Sequence, residues 1–104
     1  FAGWGPDYQD PMTFLDMWLT GGSFNRMEYS NKKFDDLIKG AKQEADEAKR
    51  WSDMQEAEKM LLTEDYAIAP IYQKGEAYLQ RTNIDKLYRH PFGADMSFKW
   101  MEIK

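Results

Sequence analysis

Trp4-Gly5-Pro6-Asp7-Tyr8-Gln9-Asp10-Pro11, continued by Met12-Thr13-Phe14-Leu15, is the stretch from which the rest of the chain can be read. Phe1-Ala2-Gly3-Trp4 reads as the end of a short strand. Gly5-Pro6-Asp7 breaks it, because proline drives the residue before it out of the helical region and glycine tolerates backbone angles closed to other residues. Asp10-Pro11 then opens a helix, with a capping carboxylate followed by proline at a position whose N–H would have no partner. Phe14, Leu15 and Trp18 are expected to form its buried stripe, and Gly21-Gly22 to end it.

Downstream, Ser30-Asn31 starts a second helix. Phe34, Leu37, Ile38, Ala41, Ala45 and Ala48 recur at the three-and-four spacing of an amphipathic helix. Asp46 caps a third, whose inward face is Trp51, Met54, Ala57, Leu61 and Leu62. The two are expected to make an antiparallel hairpin, with one long bent helix as the alternative. After Asp65 the period changes. Ala67-Ile68-Ala69-Pro70-Ile71-Tyr72 and Ala77-Tyr78-Leu79 read as strands interrupted by Lys74-Gly75, the first at a sheet edge or ending there because of Pro70. Thr82 to Tyr88 reads as a short turn of helix, Pro91-Phe92-Gly93 as loop and Phe98 to Ile103 as a closing strand. The fold class is therefore α/β, a helical hairpin packed on a small mixed sheet.

A chain of 104 residues with 42% apolar content supports one modest core, and an aromatic content of 15% is far above that of a disordered segment. The start at Phe1, directly in an aromatic stretch, reads as the inside of a strand and points to a fragment. The net charge of -4, with both signs interspersed, leaves no basic stripe for nucleic acid. Cysteine is absent, which removes disulfides and thiolate chemistry. The one histidine, His90, sits beside Pro91 in a loop, and the pairs Asp35-Asp36 and Glu44 with Glu47 read as solvated helix faces. No carboxylate pair has the setting of a hydrolase, and no group of oxygen ligands has metal-loop spacing. The sequence thus carries no sign of an enzyme, a metal site or a cofactor.

Three motifs in order carry a resemblance. Trp4 to Leu15 resembles the W-x-x-D-Y-x-D-P-x-x-F-L signature of the oligopeptide-binding proteins, the extracytoplasmic solute-binding components of peptide ABC transporters. Tyr29-Ser30-Asn31-Lys32-Lys33-Phe34-Asp35-Asp36-Leu37-Ile38 is similar to the family's Y-S-N-x-x-F-D-x-L-I helix start, and Ala67 to Tyr72 to its A-P-I-Y strand. The resemblance covers nearly the whole chain. It implies that residues 1–104 are a single fragment of the C-terminal lobe of a two-lobed periplasmic-binding-protein-like fold. The implied partners are an oligopeptide ligand, the missing lobe of the same protein and the membrane permease of the importer. The implied location is extracytoplasmic, in a periplasm or as a cell-surface lipoprotein.

By the same resemblance Asp7 anchors the free amino end of the peptide, Trp4 packs its ring against the ligand and Asn25 lies in a loop lining the pocket. Each has a structural alternative: an Asx-turn for Asp7, core packing for Trp4 and a turn residue for Asn25, the last being the reading its own surroundings favour. Asp10 is better explained as a helix cap than as a ligand contact. Gln73-Lys74-Gly75 departs from the aromatic-rich stretch at this point in relatives, which leaves ligand size and preference open. The rival is a small interaction module of helical hairpin and sheet, binding protein or sugar through exposed aromatics.

Overall fold

The computed structural model describes residues 3–91 and 96–104. The chain divides into two compact units, one from Asp10 to Ile71 and the other combining the residues up to Gln9 with Tyr72–Lys104.

In the first unit the hairpin is built from capped helices. Asn31 has an extended backbone, and its side-chain oxygen accepts from the N–H groups of Lys33 and Phe34 at 2.9 and 3.3 Å, so α2 runs Lys32–Ala41. Asp46 does the same for Lys49 at 2.9 Å and opens α3, Glu47–Lys59. Such caps satisfy N–H groups that have no partner inside the helix. Lys33 at the start of α2 pairs with Glu56 near the end of α3, while Arg50 in the first turn of α3 donates to the carbonyl of Ala41 at the end of α2. The helices are therefore antiparallel, as the pattern predicts.

Phe34, Ile38 and Ala41 from α2 and Met54 and Ala57 from α3 are buried against one another, joined by Met60 and Leu61 in a π-helical turn, Met60–Glu64. Each large side chain removed from water contributes roughly 1.5–3 kcal/mol. The first helix, α1, is short: Met12–Leu15 is α-helical and Asp16–Trp18 winds on as a 3₁₀ turn. Its buried residues are Met12, Thr13 and Leu15.

Several expectations change here. The helix after Pro11 stops short of Gly21-Gly22, and tightening to three residues per turn after Leu15 breaks the spacing that would have buried Phe14 with Trp18. Phe14 is exposed and Trp18 half-buried. Helix α2 ends at Ala41, leaving Ala45 and Ala48 exposed, because the cap at Asp46 starts a fresh helix. Trp51 is 42% exposed instead of inward. At 100° per residue, Met54, Ala57 and Leu61 span a narrow face and Trp51 falls at its edge. There, with Pro11, Phe14, Leu15 and Met54, it lines a shallow groove. Asp35 is 8% exposed, not solvated, and its carboxylate accepts from the N–H of Thr20 at 3.1 Å.

The second unit carries two antiparallel ladders. Strand β1, Ile84–Asp85, pairs with β4, Glu102–Ile103, and β2, Tyr88–Arg89, with β3, Met96–Ser97. The turn of helix expected at Thr82–Tyr88 is thus strand and turn. The closing strand shortens to Glu102–Ile103, and the described ladders are antiparallel pairs, not one mixed sheet. Arg89 stacks on Tyr78 with its guanidinium carbon 3.4 Å from the ring centre. Ala67–Tyr72 and Ala77–Leu79 form no strand, since a strand needs a partner backbone and none pairs with them among the described residues. Leu79 is fully exposed. Of the expected strand Phe1–Trp4, Phe1 and Ala2 lie outside the described residues, and Gly3 and Trp4 have no regular structure. Phe92-Gly93 also lies outside them.

Candidate functional site

The residues proposed from the sequence occupy different settings. Asp7 is exposed at a bend in the loop that Gly5-Pro6 opens, and Trp4 is 36% exposed just before it. An exposed carboxylate attracts a cationic ligand group, and a partly exposed indole carries a broad apolar face.

Asn25 is 7% exposed and its amide is engaged on every side. The nitrogen donates to the carbonyls of Trp18, Leu19 and Tyr29 at 3.3, 3.2 and 2.7 Å, and the oxygen accepts from the N–H of Tyr29 at 3.0 Å. The geometry gives Asn25 the task of holding the loop between the 3₁₀ turn and α2 closed on itself. With its polar atoms so used, it shapes the loop from within.

Asp10 stands one residue ahead of the cap expected of it, since Pro11 takes the cap position and α1 starts at Met12. Its Oδ1 accepts from the N–H of Met12 at 2.8 Å, and Nη2 of Arg50 reaches both carboxylate oxygens at 2.9 and 2.8 Å. The Arg50 guanidinium, against the opposing effect of burial, holds the Asp10 carboxyl below its ordinary value. Arg50 is the residue that sequence reasoning missed. An arginine in a helix's first turn, opposed to the helix dipole, is the only hint the sequence offers.

A second clasp closes the hairpin at its other end. Asp65, just past the π-helical turn, accepts from the hydroxyl of Tyr29 at 2.6 Å and from Nδ2 of Asn31 at 2.7 Å. Burial, then the bond to Asp65, raises the pKa of Tyr29, while Tyr29 and Asn31 lower that of Asp65. Neither His90, which meets Tyr88 edge to face at 4.7 Å, nor the open groove of charged side chains between α2 and α3 brings together the groups a reaction would need. No cluster of metal-ligating side chains occurs among the described residues, and no helix there is long and apolar enough to cross a membrane.

No protein-family model matches the chain. Two solved structures match its fold over 99% of its length. The substrate-binding domain of an oligopeptide ABC transporter from Bacillus anthracis is 39% identical with a TM-score of 0.94, and OppA of Listeria monocytogenes bound to peptide is 48% identical with a TM-score of 0.86. The fold is that of a segment of an ABC-transporter substrate-binding domain. Dipeptide-binding protein DppE of Bacillus subtilis is 43% identical over 93% of the chain. The chain belongs to the family of dipeptide- and oligopeptide-binding proteins. It spans 18% of the length of DppE, and 20% and 19% of the two solved chains.

Proposed function

We propose that this segment forms one wall of the ligand chamber, within the C-terminal lobe, of an extracytoplasmic protein that binds oligopeptides and delivers them to an ABC importer. The observation that carries this reading is the match, in sequence and fold and over nearly all of the chain, to proteins named for binding peptides. All 104 residues then belong to one lobe, and the other lobe and the membrane permease are the partners. The work is capture and release, with no bond made or broken. A free-standing module using exposed rings such as Phe24 and Trp51 has no comparable support.

An extended peptide is held mainly through its backbone, which binds many sequences with little preference. The fixed point is the free amino end. Asp7 supplies a carboxylate for that ammonium, a charge-assisted bond worth on the order of 1.5–3 kcal/mol, and closure over the site strengthens it by excluding water. Trp4 covers the first residues of the peptide with its ring. Asn25 contributes by holding its loop in shape.

The test is calorimetric titration of the full-length protein carrying this segment with short peptides and their N-acetylated forms. Binding that acetylation weakens, and that Asp7→Ala weakens to a similar extent, supports the reading. Equal affinity of wild type and Asp7→Ala for free-amino peptides removes Asp7 from the site. Absence of binding to any peptide removes the substrate assignment.

A further inference from the structure

We infer that Arg89 seats a carboxylate group, supplied either by another part of the full-length protein or by the bound peptide. Every residue that carries the inference lies in the compact unit containing Tyr72–Lys104.

Arg89 is the second residue of β2, and strand alternation sets it on the face opposite Tyr88, half-buried where Tyr88 is exposed. There its guanidinium carbon lies 3.4 Å from the centre of the Tyr78 ring, the separation of a flat stack. Stacking fixes the plane of the guanidinium, so its N–H groups point outward within that plane and not into the ring. Nε is buried and has no hydrogen-bond acceptor among the described residues. A buried donor without an acceptor is costly, and folded proteins rarely keep one.

The neighbouring ladder does not supply the acceptor. Its carboxylates, Asp85 and Glu102, are engaged by Lys104 and Lys86. The chain spans 18% of the length of DppE and 20% of the solved Bacillus anthracis chain, so most of the surface that could meet Arg89 belongs to the remainder of such a protein or to its ligand. The chemistry of the missing group follows from the fork. Nε–H lies beside an Nη–H, a pair of parallel donors that matches the two oxygens of a carboxylate, whereas a single carbonyl meets only one of them. Tyr78 covers one side of the guanidinium, which limits competition from water and strengthens such a pair.

The experiment compares the full-length protein with Arg89→Met and Arg89→Gln, each checked for folding by circular dichroism; Arg89→Gln keeps N–H donors and carries the test should Arg89→Met not fold. Lys99→Met, which removes a cation of the same unit lying over Trp100, controls for the general loss of a positive charge. The first arm is urea unfolding without peptide at pH 5 and pH 3, a range that keeps histidine titration out of the comparison. A carboxylate paired with arginine titrates lower in the folded protein than in the unfolded one, so its contribution is present at pH 5 and fades as the pH falls. If the protein supplies the carboxylate, the ratio of the variant's unfolding constant to that of wild type falls about fivefold between pH 5 and pH 3, as expected for a pKa lowered by about one unit, and stays level for Lys99→Met. The second arm is the affinity at neutral pH of a tripeptide with a free carboxyl end and of its C-terminal amide. If the peptide supplies the carboxylate, a preference of about tenfold for the free acid is lost in the Arg89 variants and kept in Lys99→Met. A ratio independent of pH together with an unaltered carboxyl preference means that Arg89 only stacks on Tyr78 or bonds to water, and overturns the inference. An equal response of Lys99→Met overturns it too. The first arm uses no peptide, so a protein that binds none fails the peptide reading while the acid limb still decides the role of Arg89.

Discussion

Nη2 of Arg50 lies 2.9 and 2.8 Å from the two carboxylate oxygens of Asp10, forty positions earlier in the chain. Both side chains are about three-quarters buried, so the pair is shielded more than a surface ion pair and less than one in a core. Asp10→Ala removes the ion pair and the acceptor for the N–H of Met12 together. It is expected to lower stability by about 1–3 kcal/mol in urea unfolding, with Arg50→Gln close behind.

The same pair sets a pH dependence. The Asp10 carboxyl titrates below its ordinary value in the folded chain, so its contribution is fully present above an unfolded value of about 3.9 and is lost as the pH falls below that. Acid unfolding followed by circular dichroism should be less steep in Asp10→Asn than in wild type below that pH. Identical acid limbs would show that the pair is not formed in solution.

Tyr29 gives the opposite limb. Burial, followed by its bond to Asp65, raises its pKa, so the neutral ring stabilises the fold below about pH 10 and that contribution fades as the pH rises further. Tyr29→Phe is expected to remove this alkaline loss, at the expense of the 2.6 Å bond to Asp65 at neutral pH. Absorbance titration of the tyrosinate band against unfolding checks both parts.

Asn25→Ala deletes the side-chain hydrogen bonds from Asn25 to Trp18, Leu19 and Tyr29 that help to close the loop between the 3₁₀ turn and α2. A loss of about 2–3 kcal/mol in urea unfolding is expected. Asn25→Asp should be nearly as damaging, because the lost donors face three carbonyls. A loss under half a kcal/mol would mean that the loop is held by something else.

Phe34 and Trp51 separate core from rim. Phe34→Ala, at a fully buried position, should cost about 3–5 kcal/mol, and Trp51→Ala, at the half-open edge of α3, far less. Tyr66 offers a gain instead. It has a φ of 48°, where a side chain is unfavourable, so Tyr66→Gly is expected to be neutral or to stabilise by up to about 1 kcal/mol. A thermal melt of the three variants gives the ranking.

The hairpin was legible because its signals are local. Asn31 and Asp46 are capping residues, and Phe34, Ile38, Met54 and Ala57 repeat at helical spacing, so propensity and burial agree on the same elements. The family was legible for a similar reason. The motifs at Trp4–Leu15, Tyr29–Ile38 and Ala67–Tyr72 are contiguous runs whose order survives whatever the chain does in space. The edges of faces were less so. Whether Trp51 or Asp35 points in or out depends on a few tens of degrees of rotation and on which neighbour arrives.

What the sequence by itself determined is the capped helical hairpin, the family, and the loop in which Asp7 stands, all carried by neighbours within a few turns of chain. Only the tertiary structure decided that Arg50 grips Asp10, that Asp65 ties Tyr29 to Asn31, and that Asn25 spends its amide on its own loop. It also decided that Ala67–Tyr72, strand-like in composition, joins no ladder among the described residues. The reason is common to all of these. Ion pairs and strands are relations between groups distant along the chain, and only folding determines which of many possible partners arrives within 3 Å.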